Sequence, residues 1–571
     1  MRDGVRLAID FYLPTTPGPF PTVLRATPYW RTPRIPLPHL KDQPLDKHFL
    51  TSFLKAGYAV VMVDIRGTGA SFGSWKGMWL DQEVQDLGEV IDWISQREWS
   101  NGKVGTIGIS YEANLAWLAA ATGRTALRAV VARFPDFDAY ADIFFPGGIF
   151  NEKLIKAWAD MTSVLNCAIS QEELKAAGSP ELAELVRGGP PPVDADSSKE
   201  LLEKALEDHA IGVNIFDEES MRTHRDDPGG ERNRVLEEVS PAGRKAEIEA
   251  SHVPLLIFAS WLDAATAAGA LRSFVTLDNP HRVVIGPWGH GGLQGSNPLQ
   301  RGMTLEPAFD RQFDEVVRFF DWHLKSDAEV EAERGIRYFT FGEERWHETT
   351  TWPPAGIESL TLFLGPFFSL LEDPPSDSDG QDEYEVDFDA DAGETTRWHT
   401  QLTTAEVFYP DREKADDRLL TYTSAPLERD VVVTGFPEVT LYVRSTEADA
   451  AFYAYLERVD AEGRVIYLTD GQLRAIHRKK TPEGELNGFG PSHSFLRKDS
   501  EPLVPGTVSE IPLSLLPTSV LLLKGERIRV AIAGHDEGSF PRIPSSGFPT
   551  VTVERNSDFP SRIVLPVSYP R

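Results

Sequence analysis

The sequence predicts an α/β protein with a mostly parallel sheet, interrupted by an inserted helical cap and followed by an all-β domain of jelly-roll type. Three observations predict it. Short apolar runs alternate with helical patterns over residues 1–150 and again over 250–355, the signature of parallel strands joined by crossover helices. The text between, 151–249, is charged and helix-favouring, broken by GGPPPVDADSS and DDPGGERN, and has no strand rhythm. Beyond Trp352-Pro353-Pro354, over 356–571, short β runs such as LTLFLG, VTLYVRS and IRVAIAG are bounded by Pro, Gly and Asp. A chain of 571 residues is long enough for several cores, at roughly 100 to 200 residues per domain.

The N-terminal MRDGVRLAIDFYLP alternates like a strand and carries charge within its first residues, so no export signal is expected. Strands are expected at 22–25, 58–64, 104–108 and 129–133. Between the second and third, DQEVQDLGEVIDWISQ sets Val84, Leu87, Val90, Ile91 and Ile94 on one helical face behind Asp81 and Glu83. After the cap the sheet resumes with VPLLIFA and HRVVIG, separated by a helix over 264–277. A further helix over 312–324 places Phe313, Val316, Phe320 and Leu324 on one side. The acidic stretch 372–394 lacks the D-x-D-x-D-G spacing of an EF-hand and reads as a solvated loop.

Composition excludes several functions. With 57 basic against 87 acidic residues, the net charge of -30 repels phosphate backbones and anionic lipid, so neither nucleic acid nor membrane is an expected partner. No apolar run reaches the roughly 18 residues of a membrane span, and a cytoplasmic protein is expected. The single cysteine, Cys167, can form neither an internal disulfide nor a structural zinc site, and reads as a small buried hydrophobe. No H-E-x-x-H exists, and the glycines of DIRGTGASFG lack the lysine of a phosphate loop; no metal and no cofactor is expected. Homo-oligomerisation stays open.

The chemistry lies in VGTIGISYEANLAWLAAA. A strand ends at Gly108, Ser110 follows, and a helix begins at once, which is the geometry of a nucleophile elbow, although Glu112 stands where G-x-S-x-G requires its last glycine. A serine needs a base, and the base needs an acid to fix its tautomer. Asp263 follows VPLLIFASWL and His290 follows HRVVIGPWG, both at the C-terminal ends of strands. Asp278 is nearer His290 in sequence but precedes its strand, which puts it at the opposite edge. His209, His224, His323, His347, His399, His477, His493 and His535 lie in the cap, within a helix or beyond the core. Tyr29 follows an early strand whose end faces the edge that carries Ser110. Phe144, Phe145, Phe150 and Trp158 gather near the cap entrance, where they can bind substrate or pack cap to core.

With these motifs, and with TPYWR, DIRGTGASFG, GISYEA, WLD, GPWGHG, FFDWHLK, YFTFGEERW, DGQLRA and AGHDEGSFPRIP in order along nearly the whole chain, the sequence resembles the cocaine esterase-like (CocE/NonD) branch of the X-Pro dipeptidyl-peptidase family of serine hydrolases. It departs from the family's G-x-S-Y-x-G at Ala113. The resemblance implies an α/β hydrolase with an inserted helical cap and a C-terminal jelly-roll domain. It implies Ser110, Asp263 and His290 as catalytic residues, with an oxyanion hole made by the Tyr29 hydroxyl and the Tyr111 backbone N–H. It also implies that Trp158 lines the acyl pocket. The α-amino acid ester hydrolases of the family bind the substrate ammonium through carboxylates two and three residues beyond the catalytic acid, and here those places hold Ala265 and Thr266. The expectation is a small-molecule ester with an apolar or aromatic acyl group. An amide-cleaving acylase or peptidase is the alternative, and a non-catalytic carbohydrate-binding protein the second. Were an amine nonetheless bound, Asp142 would be the first carboxylate to suspect.

Overall fold

The structure, a computed structural model, describes residues 1–32, 45–166, 186, 188–210, 212–229, 235–326, 334–402, 405–482 and 489–570. Cys167 lies outside the described residues. Nine strands form the first sheet: β1 (Ile9–Tyr12), β2 (Phe20–Thr27), β3 (Ala59–Asp64), β4 (Ser100–Ile109), β5 (Leu127–Arg133), β6 (Leu255–Ser260), β7 (His281–Gly286), β8 (Gly335–Thr340) and β9 (Arg345–Thr349). Their spatial order is β1-β3-β2-β4-β5-β6-β7-β8-β9. The strands from β3 through β8 pair in parallel, and the edge strands β1 and β9 are antiparallel. The four strands expected early in the chain and the two after the cap are all present. The hairpin β8–β9, which carries YFTFGEERW, extends the sheet beyond the helix expected to close it.

The central strands are buried on both faces, which is why they read as apolar runs rather than alternations. All residues of β3 and β6 are buried. Val60 and Met62 face one layer, with α1 (Leu45–Lys55) and α7 (Phe309–Phe320); Val61 and Val63 face the other, with α2 (Asp81–Ser95), α3 (Tyr111–Leu118) and α6 (Thr266–Thr276). In α2 the five expected apolar residues are buried. The last helix begins three residues earlier than expected and ends in a wider turn, Asp321–Lys325, that buries Leu324. Gly105 is required beneath it, because a Cβ there would stand 2.5 Å from the Phe320 ring.

Among the described residues, the chain from 134 to 254 is helical and irregular, with α4 (Glu152–Asn166) and α5 (Glu200–His209) its longest helices. The second sheet holds 13 strands between Glu358 and Ser568, and strands such as Glu438–Ser445 alternate buried with partly exposed positions, as half-buried antiparallel strands do. This all-β part touches the core directly: Ala264 N–H donates to Arg397 O at 3.2 Å, and the Thr340 and Ser519 hydroxyls are 2.7 Å apart. The described residues include no helix long and apolar enough to cross a membrane.

Candidate active site

Because β4, β5, β6 and β7 are parallel neighbours, the chain leaves all four at one edge of the sheet. Ser110 follows β4 with φ 61° and ψ -127°, a left-handed conformation costly for a residue with a side chain, and α3 starts at the next residue. The turn is tight enough that a Cβ on Gly108 would lie 2.2 Å from the Glu112 carbonyl oxygen. Ala113, the departure from the family pattern, is fully buried, so its methyl is accommodated.

Asp263 follows β6 and His290 follows β7. The His290 Nδ1–H donates to Asp263 Oδ2 at 2.9 Å, and the other oxygen, Oδ1, accepts from Gln401 Nε2 at 3.0 Å. Asp263 is only 1% exposed. Burial disfavours a charged imidazole, but the charge and hydrogen bond of Asp263, with Asp136 adding to them, outweigh it and raise the pKa of His290. The Phe134 and His290 rings meet at a steep angle, with ring centroids 5.9 Å apart.

Tyr29, Tyr111, Phe144 and Trp158 join Ser110 and His290 around a cavity of about 60 Å³. The Tyr29 hydroxyl accepts a hydrogen bond from Trp158 Nε1 at 2.9 Å, which leaves its own proton available. Burial pushes the Tyr29 pKa up, against the Trp158 hydrogen bond, so the phenol stays protonated. The Tyr111 N–H, first in its helix, has no acceptor within that helix. Its side chain points elsewhere: the phenol donates to Glu83 Oε1 at 2.9 Å and accepts from Trp75 Nε1 at 3.2 Å.

Other expectations fall differently. Phe145 and Phe150 are not among the residues lining this cavity. Phe145 stacks on Tyr140 at 4.8 Å, and Phe150 lies between Phe145 at 5.2 Å and the cap residue Phe216 at 5.7 Å, so both pack cap to core. Asp142 cannot serve an amine: it is fully buried, ion-paired with Arg272, and its Oδ2 accepts from the backbone of Phe137 and Asp138 at 2.9 Å each. Asp64 and Arg66 stand in structural ion pairs, Asp64 with Arg31 at 2.8 Å and Arg66 with Asp86 and Asp3 at 2.7 Å. Sequence reasoning missed Trp79, Ile143, Asp136, Gln401 and Leu402, which all line the cavity. Only Asp136 carried a signal, standing three residues beyond β5 as Asp263 stands three beyond β6.

Chemistry at this edge of such a sheet is that of the α/β hydrolases, and the fold places the protein in that class. The chain belongs to the X-Pro dipeptidyl-peptidase (S15) family, whose model matches residues 3–292; the model of the X-Pro dipeptidyl-peptidase C-terminal non-catalytic domain matches 321–563. A Mycobacterium bovis protein named "Putative serine esterase" is 37% identical, across 100% of this chain and 94% of its own length. The cocaine esterase of a Rhodococcus species is 27% identical across 99% of this chain and 97% of its own. A CocE/NonD family hydrolase from Staphylococcus aureus has the same fold, with a TM-score of 0.72 at 18% identity over 99% of this chain and 92% of that one.

Proposed function

We propose that the protein is a serine hydrolase that cleaves carboxylic esters through a covalent acyl-enzyme, with Ser110 as nucleophile, His290 as general base and acid, and Asp263 as the carboxylate that orients it. One observation carries the reading: a serine on a strained strand-to-helix turn shares a cavity with an imidazole whose Nδ1–H is held by a buried carboxylate at 2.9 Å. With Nδ1 protonated, Nε2 is the free base.

In the first half-reaction the Ser110 hydroxyl gives its proton to His290 Nε2 as Oγ attacks the ester carbonyl carbon. The carbonyl electron pair moves onto oxygen, and the oxyanion is taken by the Tyr111 N–H and the Tyr29 hydroxyl. Collapse restores the carbonyl, breaks the bond to the alkoxy oxygen and passes the His290 proton to the departing alcohol. Water then repeats the sequence on the acyl-enzyme and releases the acid. Asp263 holds the Nδ1–H and stabilises the imidazolium on each pass.

An apolar or aromatic acyl group suits the cavity, because Trp79, Phe144, Ile155 and Trp158 form its walls, and the two positions after Asp263 that hold carboxylates in the α-amino acid ester hydrolases are the uncharged Ala265 and Thr266, which do not line it. The esterase names of two relatives favour ester over amide. The peptidase name of the family keeps an amide-cleaving activity as the second reading. A fluorophosphonate probe is expected to label wild type and not a folded Ser110→Ala variant, which should lose several orders of magnitude in kcat. Phenylacetyl and benzoyl esters are expected to outperform both the matched amides and phenylglycine esters. Wild-type turnover in Ser110→Ala would end the reading.

A further inference from the structure

The sheet delivers a fourth chemically active side chain to this edge. β5 lies between the strand that ends at the serine and the strand that ends at the catalytic carboxylate, and three residues beyond its last residue, Arg133, stands Asp136. Asp263 occupies the same offset after Ser260 of β6. Asp136 lines the cavity with Ser110 and His290.

Its backbone is fixed from two sides. Asn114, fully buried in α3, accepts from the Asp136 N–H at 2.9 Å and donates through Nδ2 to the Asp136 carbonyl at 3.0 Å. Phe134, at φ 56°, donates its N–H to Phe258 O at 2.6 Å and lays its ring against His290. So rigid a placement at 7% exposure is costly for a carboxylate that, among the described residues, receives no hydrogen bond.

The charges around it say when the cost is recovered. Asp263 and Asp138 repel its ionised form and His290 attracts it. Glu112, which also faces Tyr29 beside it, is paired with Arg25 at 2.8 Å, and Tyr29 itself stays neutral. Burial first, then Asp263, push the Asp136 pKa up to about 7, with His290 opposing. Among the groups that act on it, His290 alone becomes a cation during turnover.

We propose, resting on the reading of Ser110 and His290 above, that Asp136 is a positioning residue acting through His290: ionised, it shares with Asp263 the stabilisation of the imidazolium formed in each proton transfer, and protonated it does not. The two titrations are then linked. Ionised Asp136 raises the His290 pKa and a charged His290 lowers that of Asp136, so each proton bound weakens the binding of the other, and the ionised carboxylate holds the acidic limb of kcat/KM at a higher pH than Asp263 alone would.

The test compares wild type with Asp136→Asn on a neutral aryl ester from pH 5 to 9. The variant is expected to lose roughly tenfold in kcat, the equivalent of one pKa unit of lost stabilisation, with KM within about twofold. Its limb should move to lower pH, since a negative charge beside the imidazole is gone. A limb unchanged in position overturns the proposal. So does an effect confined to KM for amine-bearing esters, which would make Asp136 a carboxylate that binds substrate. Should the variant fail to fold, Asp136→Ser is compared with wild type by the pH dependence of fluorophosphonate labelling, which needs His290 but no acyl fit, and a limb at the wild-type pH overturns the proposal. Absence of labelling at Ser110 would instead remove the underlying reading of the nucleophile.

Discussion

Ser110 and His290, two of the proposed reacting groups, share a cavity with the proposed acyl wall, yet the chain assembles the two sets differently. Ser110, Asp263 and His290 each stand within four residues of the end of a parallel strand. Trp79 comes from the segment leading into α2, Phe144 from the connection after β5, Trp158 from α4, and Leu402 from the all-β part. Backbone hydrogen bonding fixes the first set, so its geometry survives changes in surrounding side chains. Packing between segments distant in sequence fixes the second, so the wall is where substitution is expected to alter which ester is accepted.

The sharpest way to break this comparison is Tyr29→Phe. It removes a proposed oxyanion donor while leaving the ring, and kcat is expected to fall about 100- to 1,000-fold with little change in KM. An effect on KM alone would place Tyr29 with the wall rather than with the reacting groups. Next in size is Gln401→Ala, which strips the hydrogen bond from Asp263 Oδ1 and leaves a buried carboxylate oxygen unpaired. Hydrogen bonds to charged groups are worth roughly 1.5 to 3 kcal/mol, and about a tenfold loss in kcat is expected, measured with steady-state kinetics on one aryl ester. The smallest expected effect comes from Trp158→Phe, which keeps an aromatic wall but frees the Tyr29 oxygen. A change of about two- to tenfold is expected, with benzoyl and acetyl esters affected unequally. Equal loss on both would show that Trp158 works through Tyr29 alone.

Much of the reacting edge was legible in the sequence because strand ends announce themselves: an apolar run stops and the residue that follows is presented at a known edge. That rule predicted Ser110, Asp263 and His290 and excluded Asp278, whose backbone N–H instead meets Glu249 beside the start of β7. It applies equally to Asp136, which stands three residues beyond β5 at the same edge. The wall was poorly legible because composition does not say which way an aromatic ring faces. Phe144 and Phe145 are adjacent, yet one lines the cavity and the other stacks on Tyr140. Asp142 misled for the same reason: its position near the cap was readable, its engagement by Arg272 and two backbone amides was not. Gln401 gave no signal, since it lies 138 residues from the carboxylate it holds.

The Gln401 bond to Asp263 also bears on biosynthesis. A ribosome completes Ser110, Asp263 and His290 well before it reaches residue 401, so the emerging chain holds all three reacting groups while one oxygen of its buried acid still lacks a donor. The acid gains its full set of donors only when the all-β part has been made and has docked. A region matched by a model described as non-catalytic thereby supplies a donor to the proposed catalytic acid, and a chain released early from translation would carry Ser110, Asp263 and His290 without it.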